Sequence, residues 1–325
     1  MTKILMTRRL PEAPFKELEN DFEIVWPQSS AFSDEEVKDH LEDSDVVVSV
    51  FGNPLKSEAL ESASRLKLIA NFGAGVDNID VDLATSKGIV VTNTPDPVTE
   101  PTAELAMGLM VDVSRRIAEL DRGLRQQSIP SWGVMDNLST TLQGKTLGII
   151  GMGAIGQALA RRALAFGMKI IYHNRKQLDP GIEEKYEAKF TDLESLLRNS
   201  DFVSLNVPLT ADTRGLIGRS ELNSMKPSAF LVNTARGPVV DQGALIRALR
   251  NKEIAGAALD VYENEPNVPA ELLEMSNVVL TPHVGTATRE TREVMSHQVA
   301  GIIRDFYQGM RGLPVVNPDV WNHSE

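Results

Sequence analysis

Cysteine is absent from the 325 residues. That removes disulfides, zinc fingers and thiol nucleophiles together, and no metal site is expected. Positive charge is scarce: 33 lysines and arginines stand against 45 acidic residues, a formal charge of −12. A surface of that sign repels nucleic acid and anionic lipid, so neither is an expected partner. Long apolar runs are missing as well. The opening Met1-Thr-Lys-Ile-Leu-Met6 is too short for a signal peptide or a spanning helix, and cytoplasmic residence is the expectation. The same negative charge repels an anionic substrate at long range, so a carboxylate site requires local cations.

What is present suits a soluble two-domain protein. A 42% hydrophobic share with 24% charged residues leaves ample material for a core, and the length exceeds one typical domain. Short aliphatic runs at Ile4–Met6, Ile24–Trp26, Val46–Val50, Leu66–Ala70 and Ile89–Thr92 alternate with helical patterns near Pro11–Asn20, Asp34–Asp43, Glu58–Ser62 and Val81–Ser86. Alternation of this kind implies βαβ units and a parallel sheet covered by helices. One long helix is expected from Glu100 to Arg122, then a loop from Gln127 to Gln143 containing Pro130, Trp132, Gly133 and Asn137.

A second alternation begins at Lys145, with strands expected at Leu147–Ile150, Lys169–Tyr172, Phe202–Leu205, Phe230–Asn233, Ala255–Leu259 and Val278–Leu280. A last helical run, Arg289–Tyr307, is too long for a crossover of that domain alone and is expected to carry the chain back to the first. The expected fold is α/β: two Rossmann-like, doubly wound parallel-sheet domains with an interdomain cleft. The first is discontinuous, 1–98 plus 288–325, and binds substrate; the second, 99–287, binds a dinucleotide.

Gly151-Met-Gly153-Ala-Ile-Gly156 follows a strand and opens a helix. In such a motif the first glycine permits the turn, the second lets backbone approach a pyrophosphate, and the third lets helix pack on strand. The helix N-terminus offers N–H groups to phosphate. A glycine-rich turn in another kind of α/β domain is the alternative. The next strand ends in His173-Asn174-Arg175-Lys176, where an NAD site normally carries an acid for the ribose 2′-hydroxyl. Two cations suit a 2′-phosphate instead, so NADP(H) is favoured with NAD(H) possible. The alternative is a solvated basic loop; the nearest acid, Asp179, is distant and followed by Pro180.

Three later strands each end in a polar residue suited to a distinct step. Arg236 offers a planar fork that matches a carboxylate, though a lone arginine more often pairs with a surface acid. His283 is a proton donor in the neutral range, and a carboxylate such as Glu265 beside it favours imidazolium and fixes the tautomer. A lone histidine is more often structural, and His40, His173, His297 and His323 lack such a setting. In the first half, Gly73-Ala-Gly75-Val76 follows a strand and is either an anion-binding nest or a plain turn.

These blocks together resemble the D-isomer-specific 2-hydroxyacid dehydrogenase family. The resemblance runs nearly the whole chain, through Gly73–Ile79, Gly151–Gly156, Asn206-Val-Pro-Leu-Thr210, Val232–Gly237, Ala257–Pro266 and Thr281–Thr288. Within the family it is strongest to glyoxylate/hydroxypyruvate reductases. It implies NAD(P)H-dependent reduction of a small 2-oxo acid to the D-2-hydroxy acid. In that reaction Arg236 binds carboxylate and carbonyl, His283 donates the proton, and Glu265 orients and charges His283. It implies substrate contacts from Gly75 and Val76. Cofactor contacts are implied from Gly151, Gly153, Ala154, Ile155, Gly156, Asn174, Arg175, Lys176, Pro208, Thr234, Ala235, Asp260 and Gly285. Phe51 and Gly52 are expected to narrow the substrate pocket or to stack on an aromatic substrate. A homodimer joined through about 100–142 is implied, with Trp132 reaching toward the partner. A corepressor-like nucleotide-sensing protein and a phosphite-type dehydrogenase are the alternatives on the same fold.

Overall fold

The computed structural model describes residues 1–52, 54–129 and 131–322; Pro130 and His323, named above, lie outside the described residues. The chain divides into two compact units, Met1–Val98 with the chain from Thr286 onward, and Thr99–Gly285.

The first unit is built on five parallel strands, β1 (Thr2–Met6), β2 (Phe22–Val25), β3 (Val46–Ser49), β4 (Leu68–Asn71) and β5 (Val90–Thr92), in the order β2-β1-β3-β4-β5. Ile4 pairs with Val46, and Val46 with Leu68. Successive strand residues point to opposite faces, and in β3 and β4 every residue is buried. That is why these strands read as continuous apolar runs rather than alternating ones. Leu5, Val47, Ile69 and Val91 fill one face with Val37, Leu41 and Leu60 of the covering helices. The 19-residue helix Arg289–Tyr307 packs against β4 through a buried stripe that includes Met295, Val299, Ile302 and Ile303. Its N-cap Thr288 accepts the N–H of Thr291 at 3.1 Å.

The second unit holds seven parallel strands: β6 (Thr146–Ile150), β7 (Lys169–His173), β8 (Ala188–Phe190), β9 (Phe202–Leu205), β10 (Phe230–Asn233), β11 (Gly256–Leu259) and β12 (Val278–Leu280). Their order is β12-β11-β10-β9-β6-β7-β8. The winding reverses between β6 and β9, and the crevice beyond their carboxyl ends is where open α/β sheets bind ligands. One face of the sheet is covered by helices Thr99–Arg115 and Ala154–Ala165. Met107, Leu109, Met110 and Val113 of the first of these are buried there, each worth about 1.5–3 kcal/mol relative to exposure. The other face holds Leu196, Leu197, Leu245 and Leu249.

Beyond the pattern near Pro11–Asn20, which is two short 3-10 helices, Ala13–Phe15 and Leu18–Asn20, two elements differ from the sequence reading. The single helix expected over Glu100–Arg122 is two, Thr99–Arg115 and Ile117–Arg125. Arg116 between them adopts a left-handed φ of 57°. Its guanidinium is held by Glu119 at 2.7 Å, and Asp112 accepts the N–H of Ala118 at 2.8 Å, which satisfies the new helix start. The edge strand β8 is the second difference. At three residues it is too short to show a period of two.

Candidate active site

The turn after β6 is shaped by its glycines. Gly151 has φ +91°, and a Cβ there would lie 2.9 Å from the backbone of Asn206. A Cβ on Gly156 would meet the carbonyl of Gly151 at 2.5 Å, so the helix can sit this close only without a side chain. At Gly153 the space is open. The N–H of Gly151 is spent on His173, and Met152 N–H donates to Asn174 Oδ1 at 2.7 Å. By contrast, the N–H groups of Gly153, Ala154 and Ile155 donate to no described residue, and the helix Ala154–Ala165 has no side-chain cap. Open space, unspent donors and a positive helix end form a cradle that fits a dinucleotide pyrophosphate. Two buried polar atoms with no partner among the described residues, Asn206 Oδ1 and Thr234 Oγ1, stand at the ends of β9 and β10 and fit a polar ligand in the same crevice.

Asn174 Oδ1 thereby clamps the glycine turn. Arg175 and Lys176 beyond it are exposed and pair with no described acid. His173 directs Nδ1 to the carbonyl of Thr191 at 3.0 Å. Pro208 is exposed, its carbonyl accepting from Thr213 at 2.6 Å.

Arg236 follows β10 and is part-buried. Asn233, 1% exposed, fixes this turn: its Oδ1 accepts the N–H of Ala235 at 3.0 Å and its Nδ2 donates to the carbonyl of Arg236 at 3.0 Å. In the sequence Asn233 reads only as the end of a strand, although an amide in that place is itself a turn-forming signal.

His283 and Glu265 come together. Nδ1 of His283 lies 2.7 Å from Glu265 Oε2, and Glu265 Oε1 accepts the N–H of Tyr262 at 3.1 Å. Burial pushes the Glu265 carboxyl up, but the hydrogen bond and charge of His283, the Tyr262 N–H and the charge of Arg236 outweigh it. The net shift is below the ordinary glutamate value. His283 has a left-handed φ of 52°, and Asp260 holds that conformation. Asp260 is 1% exposed. Its carbonyl accepts His283 N–H at 2.8 Å. Its carboxylate accepts Thr281 Oγ1 at 2.6 Å, Val284 N–H at 2.8 Å and Gly285 N–H at 2.9 Å. Burial pushes this carboxyl above its usual range despite those donors. Asp260 and Gly285, expected to touch cofactor, thus hold one another in a turn that presents the imidazole. The Tyr262 hydroxyl braces the same region, reaching the carbonyls of Leu259 at 3.2 Å and Thr281 at 2.9 Å.

In the first unit, the Gly73–Val76 turn is tied down from behind. Asn71 Nδ2 donates to the carbonyls of Gly73 and Gly75, Asn93 Nδ2 to that of Ala74, and Ile79 N–H to that of Val76. The N–H groups of Ala74, Gly75 and Val76 donate to no described residue. Carbonyls bound and amides unspent is the polarity of an anion-binding nest rather than of a plain turn. Gly52 sits beside Arg8, whose Nη2 would be 2.5 Å from an added Cβ, and Phe51 is 38% exposed.

A dinucleotide cradle and an imidazole–carboxylate pair at the carboxyl edge of one parallel sheet define a class: an α/β oxidoreductase that uses a nicotinamide dinucleotide. Comparison with known proteins narrows it. The model of the D-isomer specific 2-hydroxyacid dehydrogenase NAD binding domain matches residues 107–285. A glyoxylate reductase from Thermococcus litoralis is 46% identical, covering 99% of this chain and 98% of its own length. A glyoxylate reductase structure from Paecilomyes thermophila superposes with a TM-score of 0.88 at 36% identity, over 98% of this chain and 99% of that one. An NADPH-dependent glyoxylate/hydroxypyruvate reductase from Sinorhizobium meliloti, solved with NADP and malonate, gives 0.85 at 34% identity, over 97% and 96%.

The chain belongs to the D-isomer-specific 2-hydroxyacid dehydrogenase family. It is an NAD(P)-dependent oxidoreductase acting on a CH–OH group.

Proposed function

We propose that this enzyme reduces a small 2-oxo acid of the glyoxylate or hydroxypyruvate kind to the D-2-hydroxy acid, with NADPH as the preferred reductant. The observation that carries the reading is the 2.7 Å contact between His283 Nδ1 and Glu265 Oε2. With Nδ1 donating to a carboxylate, Nε2 is the nitrogen left to give a proton to the substrate oxygen, and the anion stabilises the protonated ring. Arg236 grips the substrate carboxylate and polarises the carbonyl by charge-assisted hydrogen bonds. Gly75 and Val76 add backbone N–H groups to the carboxylate, while Phe51 and Gly52 limit substrate size. A reduced nicotinamide, when bound in the cradle, would supply the hydride.

For the cofactor, Gly151, Gly153, Ala154, Ile155 and Gly156 receive the pyrophosphate, and Thr234, Ala235 and Pro208 line its path. Asn174, Arg175 and Lys176 surround the adenosine ribose. Two exposed cations with no acid among them (at Arg175 and Lys176) support a 2′-phosphate there and hence NADPH. Residues 1–98 with 288–325 serve the substrate, and 99–287 the dinucleotide. No helix among the described residues is long and apolar enough to cross a membrane, and the lack of cysteine suits a reducing cytoplasm. A homodimer joined through about 100–142 is supported by exposed apolar side chains in that segment, among them Trp132, Val134 and Met135. Light scattering that gives a monomer mass would end that part of the reading.

The test is an initial-rate panel of 2-oxo acids with NADPH and NADH in parallel. Glyoxylate or hydroxypyruvate is expected to oxidise NADPH, and His283→Ala is expected to lower kcat by about 10²–10⁴-fold, the range for a lost general acid. Turnover of no 2-oxo acid, or near-normal turnover by the variant, overturns the proposal.

A further inference from the structure

Arg292 is a half-buried cation of the first unit with no counter-charge among the described residues. It lies in the opening turns of the helix Arg289–Tyr307. Its guanidinium carbon stands 5.6 Å from the ring centroid of Phe72 and 5.9 Å from that of Phe51. Among the described residues it forms no ion pair, and its side chain makes no hydrogen bond. Burial pushes its pKa below the usual arginine value, and no neighbouring acid acts in the other direction.

Several arginines elsewhere do meet acids. Arg65 meets Asp45, Arg116 meets Glu119, Arg125 meets Asp121, and Arg161 with Arg162 meets Glu100. The start of a helix is also the end where a cation is least favoured. Aromatic faces offset part of the cost of taking a guanidinium out of water, but its five donors still want oxygen acceptors. Location names the source of those acceptors. Phe72 directly precedes the Gly73–Val76 turn with its unspent N–H groups, and Phe51 directly precedes Gly52. Arg292 is therefore braced by both loops assigned above to the substrate, and Arg8 stands 5.8 Å from the same Phe51 ring.

We propose that Arg292 is a specificity-determining residue that donates hydrogen bonds to an oxygen on the third carbon of the substrate. The enzyme then favours 2-oxo acids with a C3 oxygen, such as hydroxypyruvate, over pyruvate, which differs by that oxygen alone. This inference rests on the reading that the enzyme reduces small 2-oxo acids.

The experiment compares hydroxypyruvate, pyruvate and glyoxylate on the wild type, Arg292→Met and Arg292→Lys with saturating NADPH. Arg292→Met keeps the apolar stem and is expected to lower kcat/KM for hydroxypyruvate by about 10–100-fold, the range for one charge-assisted hydrogen bond. Pyruvate and glyoxylate are expected to change by less than about threefold, and Arg292→Lys to fall between because the charge remains without the planar fork. A Tm within about 3 °C of wild type separates this from a folding defect. An unmoved hydroxypyruvate-to-pyruvate ratio in both variants, or equal losses on all three substrates, overturns the inference while the reductase reading stands. Failure of the wild type on every substrate overturns that reading instead.

Discussion

Glu265 reaches His283 with one carboxylate oxygen, at 2.7 Å, and its own turn with the other, at 3.1 Å to Tyr262 N–H. The carboxylate is therefore anchored before it meets the imidazole, and its distance from the ring does not depend on a flexible side chain. The net depression of its pKa keeps it ionised well into the acid range. A charged Glu265 stabilises the positive ring that gives its proton to the substrate oxygen, so reduction is expected to depend on this carboxylate staying ionised.

Glu265→Gln keeps the shape and removes the charge. kcat/KM for 2-oxo acid reduction is expected to fall by about 10–10³-fold, because the amide no longer supplies the charge that stabilises the proton-donating ring. The wild-type rate is expected to hold as pH falls below the ordinary glutamate value, because the depressed Glu265 carboxyl keeps its charge there and loses it only as pH drops through its own lower value. Initial rates of both proteins from about pH 4 to 8 are the measurement. A variant within about threefold of wild type would show that Glu265 does not serve His283.

Much of this arrangement was legible in the sequence, for a physical reason. Gly151, Gly153 and Gly156 sit between an aliphatic run and a helical pattern, and their spacing reports a local backbone requirement. Arg236, Glu265 and His283 each follow a β-branched or aliphatic run, so parallel strands bring them to one sheet edge whatever the intervening helices do. What the sequence concealed depends on partners far along the chain. Asn174 reads as a ribose contact, and nothing in the sequence shows that its Oδ1 also accepts the N–H of Met152. Asp260 reads as a ligand to cofactor, and nothing in the sequence shows the three donors from 281–285 on its carboxylate. The break at Arg116 required Asp112 and Glu119 to satisfy a new helix start, and helix propensity alone does not record that.

Asp260 carries a separate expectation. Its carboxylate accepts three hydrogen bonds from the turn that bears His283, at 2.6–2.9 Å. The amide introduced by Asp260→Asn would be one acceptor oxygen short and would turn an NH2 group toward a backbone N–H. A buried donor left unsatisfied costs about 1–3 kcal/mol, so Tm is expected to fall by about 2–8 °C. Because the freed turn presents the imidazole, kcat is expected to fall as well, with NADPH affinity within about threefold of wild type; misplacement of a reacting group is a rate effect. Calorimetry, kinetics and fluorescence titration of NADPH together check this. A large loss of NADPH affinity with normal Tm would mean instead that Asp260 acts as a cofactor ligand.

The cofactor loop gives the last expectation. Met152 N–H holds Asn174 Oδ1 at 2.7 Å, so the residue at the place of a ribose-binding acid is committed to the glycine turn. What faces outward beyond it is Arg175 and Lys176. A 2′-phosphate gains charge-assisted hydrogen bonds from such a pair, whereas a bare 2′-hydroxyl gains little. Arg175→Asp removes one cation and introduces a carboxylate, which repels the phosphate and accepts a hydrogen bond from the ribose hydroxyl. The ratio of kcat/KM for NADPH over NADH is expected to fall by about 10–10³-fold, mainly through the NADPH KM. Raising ionic strength should narrow the wild-type preference, because both cations are exposed and their attraction is screened over about 8–10 Å. The two cofactors are to be compared with one 2-oxo acid at saturation, at low and high salt. An unchanged ratio in the variant would mean that the basic loop is only a solvated surface and that cofactor choice is made elsewhere along the crevice.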